Sequence, residues 1–291
     1  MDFIKPLAAV VPVFLLVACG YVFANWKKID LRSVTEIIVY LTSPALVFSS
    51  LAGKPLPAKD IAILFSGVLL IFTGVGLLIK LYFWLFRFRS RGFALPVLFM
   101  NAGNMGIPLA LFAFGEPGMQ RATLLYVVIT LLQYSLGIYI LRGSGDWIEV
   151  FRLPLIYAAV AGLLVNLSQT AIPEVIFDPI ALLGRSTIPL MLVSLGYRLH
   201  YIAGLQWGHA IGGAMLRIVG GFAAAYLAVS FLNAQGLNRQ VLLLYGCLPA
   251  AVINFVLTEK YGQDPELAAS IVVLSTVFSA LAIPIFLWGI Y

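Results

Sequence analysis

Along this chain the charged positions gather in short clusters, and long apolar runs separate them. A hydrocarbon core about 30 Å thick is crossed by about 20 helical residues. Ten charge-poor runs approach that length: 6–25, 34–52, 61–82, 92–115, 122–141, 153–172, 178–198, 208–232, 240–259 and 267–290. The seventh run contains Arg185 and the eighth Arg217. The connections are short, and no polar domain or low-complexity linker interrupts them. The pattern predicts an all-α polytopic membrane protein of ten transmembrane helices.

Composition supports this. Of the 291 residues, 62% are hydrophobic and 10% charged, with a mean hydropathy of +1.02. Soluble domains carry about 25% charged residues. The net charge of +6 is no nucleic-acid signal, because the basic residues sit at the ends of the runs rather than in one stripe. With ten spans both termini share a side. Ten Lys and Arg, among them Lys27, Arg91, Arg142 and Arg198, lie on the side away from the termini, and five on the terminal side. The positive-inside bias then puts both termini outside the cell (plasma) membrane. Cys19 and Cys247 form no disulfide or metal pattern, and His200 and His209 form no HExxH. Residues 6–26 are too long for the apolar region of a cleaved signal, and Lys27 and Lys28 follow them rather than precede them.

The fourth run contains MNAGNMGIPLA, residues 100–110. Nine helical residues precede it, roughly 14 Å of rise, so the break falls near the midplane. Gly103 is expected to end the first half-helix in a left-handed conformation and Pro108 to open the second. Asn101 and Asn104 are expected to bond the freed backbone groups. The ninth run repeats the device in CLPAAVINFVLTEKYG, residues 247–262, where Pro249 breaks the helix and Asn254 is expected to cap the second half. Residues 42–49, TSPALVFS, and 187–194, TIPLMLVS, share T-x-P-x-x-x-x-S at an offset of 145. Phe114-Gly115 and Tyr261-Gly262 match at 147. Two units, 1–145 and 146–291, are expected. Five helices per unit make the second inverted in the membrane. The second halves of the broken helices then point their N-termini at a shared centre, which suits a small anion, while the half-helix C-termini offer carbonyls that suit a cation.

The segments NAGNMGIPLALFAFGE, IPLMLVSLGYRL and LPAAVINFVLTEKYGQDPELAASIVVLSTVFS resemble the auxin efflux carrier family of permeases, and the likeness spans the chain. That family includes plant carriers and bacterial malonate- and malate-type permeases. The resemblance implies two inverted five-helix repeats with crossed, broken helices four and nine at the substrate site. Helices 1, 2, 6 and 7 would form a scaffold, and 3–5 with 8–10 a mobile bundle. Asn101 and Pro108 fall on the fourth-helix pattern of the plant carriers and Pro249 on the ninth-helix crossover. Asn254 stands where many plant members have a second proline. The long central loop of those carriers is reduced here to residues 142–152. A homodimer follows from the same analogy.

The candidate substrate-binding residues are Asn101, Asn104, Pro108, Pro249, Asn254, Ser49, Ser194 and Arg185. Arg185 either joins the site or snorkels to the outer interface. Arg217 lines the cavity, or is interfacial if its span begins later, the preferred reading. Glu259 and Lys260 read as an interfacial pair, with proton coupling by Glu259 the alternative. Ser49 and Ser194, with Thr42 and Thr187, either bond back to their helices or line the cavity. Trp26, Trp84, Trp147, Trp207 and Trp288 read as interfacial belts. Ser90 reads as a replaceable loop position. The function expected is a secondary transporter moving a small organic anion, a carboxylate, by alternating access. The alternatives are an anion channel and a sodium-coupled symporter of a larger organic acid. An enzyme would need HExxH, paired aspartates or a Ser/Lys dyad at matching depth, and none is found. The expected partners are the organic anion, membrane lipid and a second copy of the chain, without nucleic acid. No cofactor or metal site is expected, and the coupling ion, Na+ or H+, stays open.

Overall fold

The computed structural model describes residues 4–143, 151–202 and 205–290, which are helical with no strand beyond one isolated bridge. Trp147 and the expected boundary at 145/146 lie outside the described residues. The described helices are α1 (Ile4–Trp26), α2 (Leu31–Ala52), α3 (Ala58–Phe86), α4 (Arg91–Leu98), α5 (Ala102–Arg142), α6 (Pro154–Ser168), α7 (Glu174–His200), α8 (Gly208–Phe231), α9 (Gly236–Gly246), α10 (Ile253–Lys260) and α11 (Pro265–Ile290). Seven of them, α1, α2, α3, α5, α7, α8 and α11, are long and apolar enough to cross a membrane.

The remaining apolar runs depart from single spans for local reasons. The fourth is split: α4 has 8 residues, about 12 Å at helical rise, and stops before Asn101. Its second part, 102–114, joins the fifth run through Gly115, whose φ of 68° and ψ of −166° turn the chain inside α5. Only glycine adopts that conformation at little cost. The ninth run is split into α9 and α10, of 11 and 8 residues. The sixth keeps 15 helical residues, ending where Gln169 takes a left-handed conformation.

Helix starts follow the polar punctuation. Asp30 accepts from Arg32 N at 2.8 Å to open α2. Ser90 accepts from Phe93 N at 3.2 Å to open α4, and its hydroxyl donates to Asp264 Oδ2 at 2.8 Å, before α11. Ser90 is therefore a cap that ties two helices, and not the replaceable loop position expected. Pro57 and Pro173 precede α3 and α7 in extended conformation.

Two sets of helices pack together. α1 lies along α7, and α2 lies against α6 and α7. The α1–α7 approach depends on glycine: a Cβ on Gly196 would lie 1.8 Å from Val17 O, and one on Gly20 2.1 Å from Val193 O. Small residues that let backbones meet are the usual means of holding helices in lipid, where apolar burial gives no drive. In the second set α8 packs on α3, α9 and α11, and α11 on α4 and α10. α5 is the most deeply packed of the long helices and also touches α1 and α2. Large apolar side chains such as Leu77, Leu164, Leu182, Phe231 and Leu281 are exposed around the outside. Trp26, Trp84, Trp207 and Trp288 are exposed near helix ends. This is a multi-pass membrane protein.

Candidate functional site

The two interrupted helices cross at their breaks. Between α4 and α5 the chain is extended at Phe99 (φ −102°, ψ 107°), and between α9 and α10 it runs through Cys247–Val252. Met100 and Ala250 form an antiparallel bridge. Asn101 N donates to Pro249 O at 2.7 Å and Ala251 N to Phe99 O at 3.1 Å. Ala250 N donates to Ser275 Oγ on α11 at 3.0 Å. The Asn254 amide donates to Phe99 O at 2.8 Å and accepts from Gln133 Nε2 at 2.7 Å. Backbone groups freed by the breaks thus find partners in protein, the condition for irregular chain at membrane depth.

Details differ from the sequence expectation. The break lies at Phe99–Asn101, and Gly103 has no positive φ; it sits in a π turn, Ala102–Gly106, that opens α5. Pro108 lies buried in the first turn of the α-helical part, as expected of it. The Tyr245 hydroxyl braces that turn, within hydrogen-bond distance of Ala102 O (3.0 Å) and Ala122 O (2.8 Å). Asn254 does not cap α10. It sits inside the first turn, fully buried, and binds the opposite break instead. The carbonyl of Phe99, freed at the opposite break, takes the Asn254 amide as a second donor beside Ala251 N.

On the N-terminal side of both breaks lies a cavity of about 170 Å³. The start of α5 (Asn101–Asn104) and the approach to α10 (Ala251–Ile253) form one wall. Tyr126, Thr130 and Gln133 of α5, Thr35 and Ile38 of α2, and Met191, Ser194 and Arg198 of α7 are among the residues that line the rest. Both helix N-termini add partial positive charge. Asn101 is 3% exposed, and its side-chain Nδ2 has no partner. Arg198 is half-buried and donates to Thr35 Oγ1 at 2.7 Å, with no carboxylate at ion-pair distance among the described residues. Asn101, with a buried donor that lacks an acceptor, and Arg198, with no carboxylate beside its guanidinium among the described residues, both line this one small space. That arrangement suits an anion with a few apolar carbons.

On the C-terminal side the breaks meet Arg217. Its side chain is 0% exposed. Nη1 donates to Val97 O at 2.9 Å and Leu98 O at 3.2 Å, and Nη2 to Gly246 O at 2.9 Å. Those carbonyls end α4 and α9. The interfacial reading of Arg217 is thus overturned: α8 continues on both sides of it, and the guanidinium points inward to helix ends that need a donor.

Of the other candidates, Asn104 and Ser194 line the cavity, and Pro249 supplies a carbonyl to the crossing. Ser49 lies elsewhere on α2 and donates to Ala45 O at 2.7 Å, so it bonds back to its helix. Thr42 and Thr187 are buried with hydroxyls that lack partners and lie outside the cavity lining. Arg185 is exposed on α7, away from the cavity. Glu259 is exposed at the end of α10. Sequence reasoning missed Arg198, counted there as a span-end charge, and Gln133. The signal was spacing: Met191, Ser194 and Arg198 fall on one helical face at i, i+3 and i+7.

At the end of the molecule nearer the termini, polar contacts tie the helices together. Gln120 of α5 donates to Lys54 O after α2, and Ser50 Oγ donates to Thr123 Oγ1 at 3.2 Å. Arg121 pairs with Asp60 at 2.7 Å and donates to Asn238 Oδ1 at 2.6 Å. The cavity extends from the crossing the other way, toward Arg198.

A family model described as "Membrane transport protein" matches residues 6–151 and 144–287. An uncharacterized transporter of Methanocaldococcus jannaschii is 29% identical over 98% of this chain and 98% of its own length. An uncharacterized transporter of Methanothermobacter thermautotrophicus is 27% identical over 100% of this chain and 99% of its own. The chain therefore belongs to the membrane transport protein family, that of the auxin efflux carriers, and its role is transport.

Proposed function

We propose that this member of the membrane transport family is a secondary transporter that moves a small organic anion, a carboxylate, by alternating access. The observation that carries the reading is the cavity beside the crossing, where two helix N-termini meet Asn101, whose Nδ2 lacks a partner, and Arg198, whose guanidinium has no carboxylate at ion-pair distance among the described residues. Arg198 binds the carboxylate, Asn101 Nδ2 donates to one of its oxygens, and Asn104 and Ser194 complete the polar side. Ile38, Met191 and Val252 cover the carbon skeleton.

The layout is read as two inverted five-helix repeats, 1–145 and 146–291. α4 with the start of α5 corresponds to α9 with α10. The antiparallel crossing at Met100 and Ala250 supports this symmetry, as does the shared motif at Thr42–Ser49 in α2 and Thr187–Ser194 in α7. In this reading α1, α2, α6 and α7 are the scaffold. The Gln120–Lys54 and Ser50–Thr123 contacts shut the bundle against it on the outside, and the cavity opens to the cytoplasm in the plasma membrane. Both termini face outside, and scaffold pairing makes a homodimer.

The test is a thermal-shift series of mono- and dicarboxylates on purified protein, repeated with Arg198→Gln. A ligand of the folded state at 100 times its Kd adds about 2.7 kcal/mol. At least one carboxylate should raise the Tm of wild type and fail to raise that of Arg198→Gln. The reading fails if no carboxylate shifts wild type, or if the variant binds equally well.

A further inference from the structure

Helix C-termini in broken carrier helices are places where carbonyl oxygens take a coupling cation such as sodium. In this chain that place is filled from within. Val97 O, Leu98 O and Gly246 O, from the ends of α4 and α9, all accept from the Arg217 guanidinium at 2.9–3.2 Å. Each C-terminus carries roughly half a negative charge, so one guanidinium balances the two. No Asp or Glu is among the buried residues described, so the helix ends are the counter-charge that Arg217 has.

The local chain is shaped for this. Arg217 sits in a π turn, Leu216–Gly220, inside α8. Such turns recur at functional sites because they shift side-chain register within a helix. The next residue in the path, Gly221, leaves the room: a Cβ there would lie 2.0 Å from Arg217 Nη2 and 2.3 Å from Gly246 O. A sodium ion at these carbonyls would have to displace the guanidinium or sit against a like charge.

We propose that Arg217 is a tethered cation standing in for an inorganic coupling ion, so that the crossing is complete, and the carrier works, without sodium. This rests on the crossing geometry rather than on which anion is carried.

The experiment begins with substrate-free wild type, melted in NaCl, KCl and N-methylglucamine chloride at equal ionic strength. The Tm should be the same in all three; a saturable rise in sodium alone overturns the proposal. Arg217→Ala is then melted with and without methylguanidinium, with N-methylglucamine as control. It should melt well below wild type and recover with methylguanidinium alone. Lack of recovery overturns the tethered-cation role. If Arg217→Ala does not fold, Arg217→Lys replaces it. It keeps the charge but loses the planar fork, so it should melt between wild type and misfolding; a Tm equal to wild type in KCl that rises further in NaCl overturns the proposal. Failure of every carboxylate to bind would sink the transporter's anion reading and leave these outcomes unchanged.

Discussion

Arg217 and Arg198 stand on the C-terminal and the N-terminal side of the same crossing, and their surroundings differ in what accepts their protons. Three protein carbonyls surround Arg217, and it is fully buried. Arg198 has one hydroxyl, Thr35 Oγ1, and an open cavity. Both Nη groups of Arg217 are used by the fold, with only Nε buried without a partner, and a cation so engaged holds the fold together. A cation whose donors are left over is available to a ligand. The difference follows from chain direction: breaking a helix leaves carbonyls on one side and N–H groups on the other. The carbonyl side calls for an internal donor, and the N–H side leaves positive potential for an external anion.

The comparison breaks most sharply at Arg217. Arg217→Met keeps much of the volume but strands carbonyls that end two helices. Leaving a buried acceptor without its donor costs about 1–3 kcal/mol, and Val97 O, Leu98 O and Gly246 O all lose theirs. A large fall in Tm in detergent is expected; a variant that melts like wild type yet loses substrate would reverse the assignment of roles. Arg198→Gln should do the opposite. Its stability should stay within about 0.5 kcal/mol of wild type. A lost hydrogen bond to a charged group is worth about 1.5–3 kcal/mol, or roughly 10- to 150-fold in carboxylate affinity. Titration by calorimetry against the best carboxylate measures it.

The two asparagines sharpen the same contrast. Asn254→Leu strands Gln133 Nε2, at about 1–3 kcal/mol, and removes one of the two donors to Phe99 O, which keeps Ala251 N, so its effect should appear chiefly in unfolding. Asn101→Leu removes an amide whose Nδ2 has no protein partner, so its loss should appear in substrate affinity, by roughly 5- to 150-fold. Equal effects of both on Tm would argue that Asn101 is only part of the scaffold of the crossing. The smallest effect is at the rim. Ser90→Ala removes the cap of α4 and its bond to Asp264, and should lower stability by about 1 kcal/mol without changing affinity.

The spacing of apolar runs was enough to make this a multi-pass helical protein, because lipid allows few other backbones. Gly, Pro and Asn in the fourth and ninth runs also marked where helices stop. The position of the stop was misjudged by a few residues: Gly103 looked like the terminator, yet the non-helical stretch is Phe99–Asn101. Local chemistry says that a helix ends, and the facing segment at Pro249 and Ala251 says where. Asn254 carried the signature of a cap, and the carbonyl of Phe99 took its amide.

What the sequence determined by itself is the helical, membrane-embedded class, the two interruptions and the family likeness, all of which rest on periodicity and punctuation local to the chain. What only tertiary structure decided is the use of each charge. Arg198 read as a loop-end residue and Arg217 as an interfacial one, because hydropathy reports depth along a run and not which neighbour lies beside it. Most of the neighbours come from far along the chain: Val97 and Leu98 for Arg217, with Gly246 nearer, and Thr35 and Asn101 around Arg198. An electrostatic role is set by distance in space, and no single-chain pattern contains that distance.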